Sequence, residues 1–85
     1  MIDVPRYDGT VASVLRFLES LEQGSIDYQL STARPEALMV NVAVPGQRWE
    51  IEFLASGAVE VEVFGSDGQI YEHDKLADLL EHFAE

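Results

Sequence analysis

The stretch RWEIEFLASGAVEVEVF, residues 48–64, alternates large apolar residues with glutamates on both sides of an Ala-Ser-Gly break. Alternation is the period of a strand with one buried face, and a short break ending in glycine suits a hairpin loop that needs a left-handed residue. With Leu54 opposite Ala58, Phe53 meets Val59, Ile51 meets Val61 and Trp49 meets Val63. The same register sets Glu50 across from Glu62 and Glu52 across from Glu60. One face of the hairpin is then apolar and the other acidic.

The preceding segment, ALMVNVAV at 37–44, ends in a Pro-Gly turn signal at 45–46. Placing Val44 opposite Gln47 pairs Val42 with Trp49 and Val40 with Ile51, while Asn41 meets Glu50 and Met39 meets Glu52. Two independent turns therefore agree on which side is apolar. A slip of one residue at either would reverse every side chain.

Upstream, Ile26, Tyr28 and Leu30 alternate with Asp27, Gln29 and Ser31, which predicts a further half-buried strand broken by Pro35. Before it, TVASVLRFLESLEQG at 10–24 carries Val11, Val14, Leu15, Leu18 and Leu21 at helical spacing, with Phe17 widening the stripe. Thr10 is placed to cap this helix, with Asp8 as a competitor, and Gly24 to end it in a left-handed conformation. The chain closes with DKLADLLEHFAE, a second helix with Leu76, Leu79, Leu80 and Phe83 inward and Asp74 as its expected N-cap. Gly65 to Gly68 reads as a loop. The N-terminal MIDVP either adds a strand or trails.

The expectation is one α+β domain over residues 1–85, in the order α-β-β-β-β-α. It is a two-layer sandwich with a four-stranded antiparallel meander sheet and both helices on one face. Eighty-five residues suffice for one core, and a hydrophobic content of 47% is that of a globular chain.

Charge is the unusual property. Sixteen acidic residues against five basic ones give −11, and residues 50–85 hold ten of the acids with Lys75 as their only base. Such a field repels nucleic acid and anionic membrane, and it speeds encounter with a basic protein. It also keeps a β-prone hairpin soluble, so the glutamates admit both readings. Cross-strand like-charge pairs are nevertheless destabilising, and solubility alone needs none.

The sequence contains no cysteine, which removes disulfides and thiolate metal sites and leans toward a reducing cytoplasm. The N-terminus does not read as a secretory signal, and no stretch has the length of a membrane span. His73 and His82, nine residues apart, do not have the spacing of two ligands on one helix face. No nucleophile elbow, phosphate cradle or EF-hand loop is present, so neither catalysis, a metal nor a cofactor is expected.

RWEIEFLASGAVEVEVFGSDG, with the short helix after it, resembles the small acidic bacterial domains grouped with immunity proteins and antitoxins. The resemblance implies a stoichiometric inhibitor of a basic toxin, often a nuclease, whose active site is covered by an acidic surface. On the residues themselves, the expected contact charges are Glu50, Glu52, Glu60 and Glu62, flanked by Arg48, Met39 and Phe64. The alternative is a structural domain that forms a homodimer through the open sheet face or through residues 58–64 as an edge strand.

Overall fold

A computed structural model describes residues 4–65 and 70–84. Helix α1 (Val11–Gln23) leads into β1 (Tyr28–Ser31), β2 (Ala37–Val44), β3 (Gln47–Leu54), β4 (Val59–Phe64), β5 (Ile70–Tyr71) and helix α2 (Lys75–Phe83). The strands form an antiparallel meander in the order β1-β2-β3-β4-β5. Every pairing expected across the two central turns is present, from Val44 opposite Gln47 to Phe53 opposite Val59. Gly46 and Gly57 both take positive φ, as those turns require.

The sheet has five strands, not four. Strand β5 is two residues long, too short to show a period, and it pairs Tyr71 with Val61 and Ile70 with Glu62. Strand β4 is therefore covered along part of its length, and the expectation that residues 58–64 form an open edge is corrected. The loop expected between Gly65 and Gly68 falls mostly outside the described residues. Residues 4–8 add no strand.

Both helices pack on the valine-rich face. Val40, Val42, Trp49, Ile51, Phe53, Val61 and Val63 are buried with Phe17, Leu18 and Leu21 of α1 and Leu76, Leu79 and Leu80 of α2. The Phe17 and Phe53 rings lie 5.6 Å apart, and Tyr7 meets Phe53 edge-on at 4.9 Å. Trp49, the bulkiest buried side chain, keeps its indole N–H satisfied by Gln47 Oε1 at 3.0 Å.

Three local expectations change. Val11 and Leu15 are exposed, because the buried stripe of α1 runs through Val14, Phe17, Leu18 and Leu21 and leaves them on its flank. Gly24 has φ of −88°, and the left-handed residue is Ser25 at 58°. The backbone N–H of Ile26 donates to Leu21 O and that of Ser25 to Glu22 O, which is a Schellman ending with its left-handed position one residue later than expected. Asp74 makes no side-chain cap to α2. The N–H groups of Lys75 and Leu76 are already taken by the carbonyls of Glu72 and His73, at 3.0 Å each, so a tight backbone turn replaces the cap.

Candidate functional site

The face of the sheet opposite the helices carries the residues singled out by charge. Strand alternation puts Met39, Asn41 and Ala43 of β2, Arg48, Glu50 and Glu52 of β3, and Glu60, Glu62 and Phe64 of β4 on one side. Glu50 stands opposite Glu62, Glu52 opposite Glu60, and Arg48 opposite Phe64. All seven expected contact residues thus share one surface. Ile70, beside Glu62 in the β4–β5 ladder, adds an exposed apolar side chain to its margin.

The like charges are not left bare along the whole row. Arg34, in the loop between β1 and β2, reaches across β2 to Glu52. Its Nε donates to Glu52 Oε2 at 3.1 Å and its Nη2 to Glu52 Oε1 at 2.8 Å, a two-pronged contact. The same Nη2 lies 3.3 Å from Glu60 Oε1, and Glu36 stands 3.8 Å from Nε. The hydrogen bond to Glu52 raises the pKa of the Arg34 guanidinium; desolvation opposes it, and the nearby charges of Glu52, Glu60 and Glu36 each add a lesser rise.

At the other end of the row, Arg48 Nη2 is 3.5 Å from Glu50 Oε2, and its guanidinium stacks 4.5 Å above the Phe64 ring. Among the described residues no cation lies within ion-pair reach of Glu62. The face is therefore polarised. Glu52 has a side chain only 12% exposed and serves as the anchor of Arg34, whereas Glu50 and Glu62 present the less compensated negative charge.

Sequence reasoning about the site missed Arg34. Its side chain comes from a loop 18 residues from Glu52 and 26 from Glu60, and no periodicity connects them. An arginine beside a turn proline, in a chain with few cations, was the one available signal. Asn41 is also tied down, its amide donating to Ser31 Oγ at 2.8 Å, which stiffens the β1 side of the face.

The hollows on this face are shallow. A dimple of about 50 Å³ lies among Met39, Glu50, Glu52, Glu60, Glu62 and Ile70, well below the size of an organic-ligand pocket. Beside it an open groove of about 550 Å³ crosses Gln29, Asn41, Ala43 and Arg48.

The histidines are employed separately. His73 Nε2 meets Pro5 O at 3.3 Å and helps hold the N-terminal segment. His82, in the last turn of α2, groups with Asp78 and Glu81, their ligand atoms within 4.8 Å of one another. The i, i+3, i+4 spacing of these three was legible in the sequence. They are solvent-accessible, and Lys75 Nζ already sits 3.0 Å from Asp78 Oδ2, where it competes with any cation.

No protein-family model, curated protein or solved structure matches the chain. No helix among the described residues is long and apolar enough to cross a membrane. Fold and site together define an α+β domain with one face sealed by helices and the other presenting an arginine-clamped row of glutamates.

Proposed function

We propose that the open sheet face is a docking surface for a basic protein, and that the domain acts in the cytoplasm, without catalysis or cofactor, as an inhibitor of the immunity-protein or antitoxin type. The observation that carries this reading is the placement of Glu50 directly opposite Glu62, a like-charge pair that Arg34 does not bridge, on the one sheet face free of helices. Like charges in directly opposed positions cost about 0.2–1 kcal/mol per pair. A cationic partner relieves that cost when it binds, so the strain in the free protein favours the complex.

Arg34 supports the same reading. It locks Glu52 and draws in Glu60 at one end of the row, leaving Glu50 and Glu62 to meet an incoming lysine or arginine. Arg48 on Phe64, with Met39 and Ile70, supplies the part-apolar surroundings in which a docked cation is better shielded from water. The open groove over Asn41 and Ala43 gives room for a protruding side chain. A basic nuclease toxin, whose own substrate is a polyanion, has the complementary surface.

The test is a low-salt capture from the lysate of the source organism, comparing the native chain with a Glu50→Lys, Glu62→Lys variant and a milder Glu50→Gln, Glu62→Gln variant. The expected result is one basic protein held by the native chain, released by salt, held weakly by the Gln variant and lost by the Lys variant, with circular dichroism unchanged throughout. A partner retained equally by all three chains would remove the acidic face from the account.

A further inference from the structure

The open sheet face repeats one motif. Glu52 opposite Glu60 and Glu50 opposite Glu62 are like-charged pairs of the same β3–β4 ladder, displaced by two residues along each strand, or about 7 Å. In each pair the ladder holds the two Cβ atoms about 4.5–5.5 Å apart. The chain itself bridges the first pair with a guanidinium. Arg34 grips Glu52 through Nε at 3.1 Å and Nη2 at 2.8 Å, and the same Nη2 reaches Glu60 Oε1 at 3.3 Å.

The second pair is compensated differently. Arg48 Nη2 stands 3.5 Å from Glu50 Oε2, a looser contact, and its guanidinium lies over Phe64 at 4.5 Å from the ring centre. Glu62 has no ion-pair partner among the described residues. Yet Glu50 and Glu62 are both half-buried, whereas Glu60 of the bridged pair is exposed. Met39 and Ile70 line the same dimple. A cation seated there meets carboxylate on two sides and apolar side chains beside it.

We propose that the residue with which the basic partner enters this seat is an arginine and not a lysine, its guanidinium bridging Glu50 and Glu62 as that of Arg34 bridges Glu52 and Glu60; the assignment rests on the docking role proposed for the same face. A guanidinium is a planar fork that donates two N–H groups to one carboxylate and a further one to a second, whereas an ammonium is a compact point charge. It is also the more weakly hydrated of the two, so it loses less on entering a half-buried site. Its flat faces can pack on Met39 and Ile70, which a hydrated ammonium avoids. Arg48 repels any cation brought beside it. That repulsion weakens arginine and lysine alike and leaves the preference between them to hydrogen-bond geometry and hydration.

The test is a two-dimensional NMR titration of the labelled full chain, at an ionic strength of about 0.15 M, with two end-blocked pentapeptides of equal charge, Gly-Arg-Gly-Arg-Gly and Gly-Lys-Gly-Lys-Gly. The arginine peptide is expected to shift the amides of Glu50 and Glu62 and to bind about fivefold or more tightly than the lysine peptide. Glu62→Gln, which relieves a like-charge pair and so does not threaten the fold, should bring that ratio down to about one. Glu81→Gln removes the same charge from the exposed side of α2 and should leave the ratio unchanged. Equal binding of the two peptides at Glu50 and Glu62, or a preference that survives Glu62→Gln, would overturn the arginine assignment while leaving the face a docking surface for cations. Shifts from both peptides that avoid the sheet face would overturn the docking role itself, and the arginine assignment with it.

Discussion

Arg34 Nη2 lies between two carboxylates of a directly opposed pair, 2.8 Å from Glu52 Oε1 and 3.3 Å from Glu60 Oε1. One guanidinium thereby converts a repulsive cross-strand pair into a bridged one, and it does so from a loop outside the hairpin. The acidic face is organised by this clamp. It fixes one end of the glutamate row, while at the other end Glu62 has no ion-pair partner among the described residues.

Replacing Arg34 by Gln should expose the Glu52–Glu60 repulsion, about 0.2–1 kcal/mol for such a pair. Thermal unfolding at low salt is expected to show a lower Tm, with the deficit shrinking as salt rises. The double variant Arg34→Gln, Glu52→Gln should recover most of the loss, because one of the opposed charges is gone. Equal Tm values for the native chain and Arg34→Gln at low salt would show the clamp to be energetically idle.

The end of α1 yields a pair of predictions of opposite sign. Ser25 holds a left-handed conformation, which costs a non-glycine residue about 1–2 kcal/mol, so Ser25→Gly should raise stability by up to about that much in chemical denaturation. Gly24, although its φ is ordinary, has no room for a side chain. A Cβ there would stand 2.6 Å from the Cβ of Ala84, just beyond α2.

Gly24→Ala is accordingly expected to destabilise by about 1–3 kcal/mol through overpacking. Ala84→Gly in the same chain should restore much of it. Additive effects of the two changes, measured by denaturant midpoints, would contradict this close approach.

Asp8 provides the pH dependence. The Thr10 hydroxyl first, then the Thr10 backbone N–H and Ser13, lower its pKa in the folded chain, with a smaller contribution from Arg16. A carboxylate depressed on folding contributes stability that is fully present above its unfolded pKa of about 3.9 and is lost as pH falls through the lower folded value. The stability difference between the native chain and Asp8→Asn should therefore be constant near neutrality and shrink below about pH 3.9. A difference that grows on acidification would reverse the assignment.

The central hairpins were legible because two turns of known chemistry, Pro45-Gly46 and Ala55-Ser56-Gly57, fix parity independently, and alternating side chains admit one register. From that register the Glu50–Glu62 and Glu52–Glu60 pairs followed directly. Strand β5 was not legible, since two residues carry no period and its place is set by pairing with β4. The helix ends fall where expected, after Asp74 and at Gly24, but their caps differ: backbone carbonyls of Glu72 and His73 take the donors at the start of α2, and the left-handed residue closing α1 is Ser25, whose N–H and that of Ile26 bond Glu22 and Leu21. Arg34 was invisible for a different reason: a long side chain on a loop joins its targets only once the sheet exists.

The most direct measurement is a two-dimensional NMR titration of the isotopically labelled chain with the basic protein it captures. Shifts concentrated at Arg48, Glu50, Glu60, Glu62 and Phe64, with the amides of α1 and α2 undisturbed, are the result this account predicts. Shifts confined to the helices, or to Tyr28–Ser31 alone, would contradict it and move the binding surface away from the glutamate row.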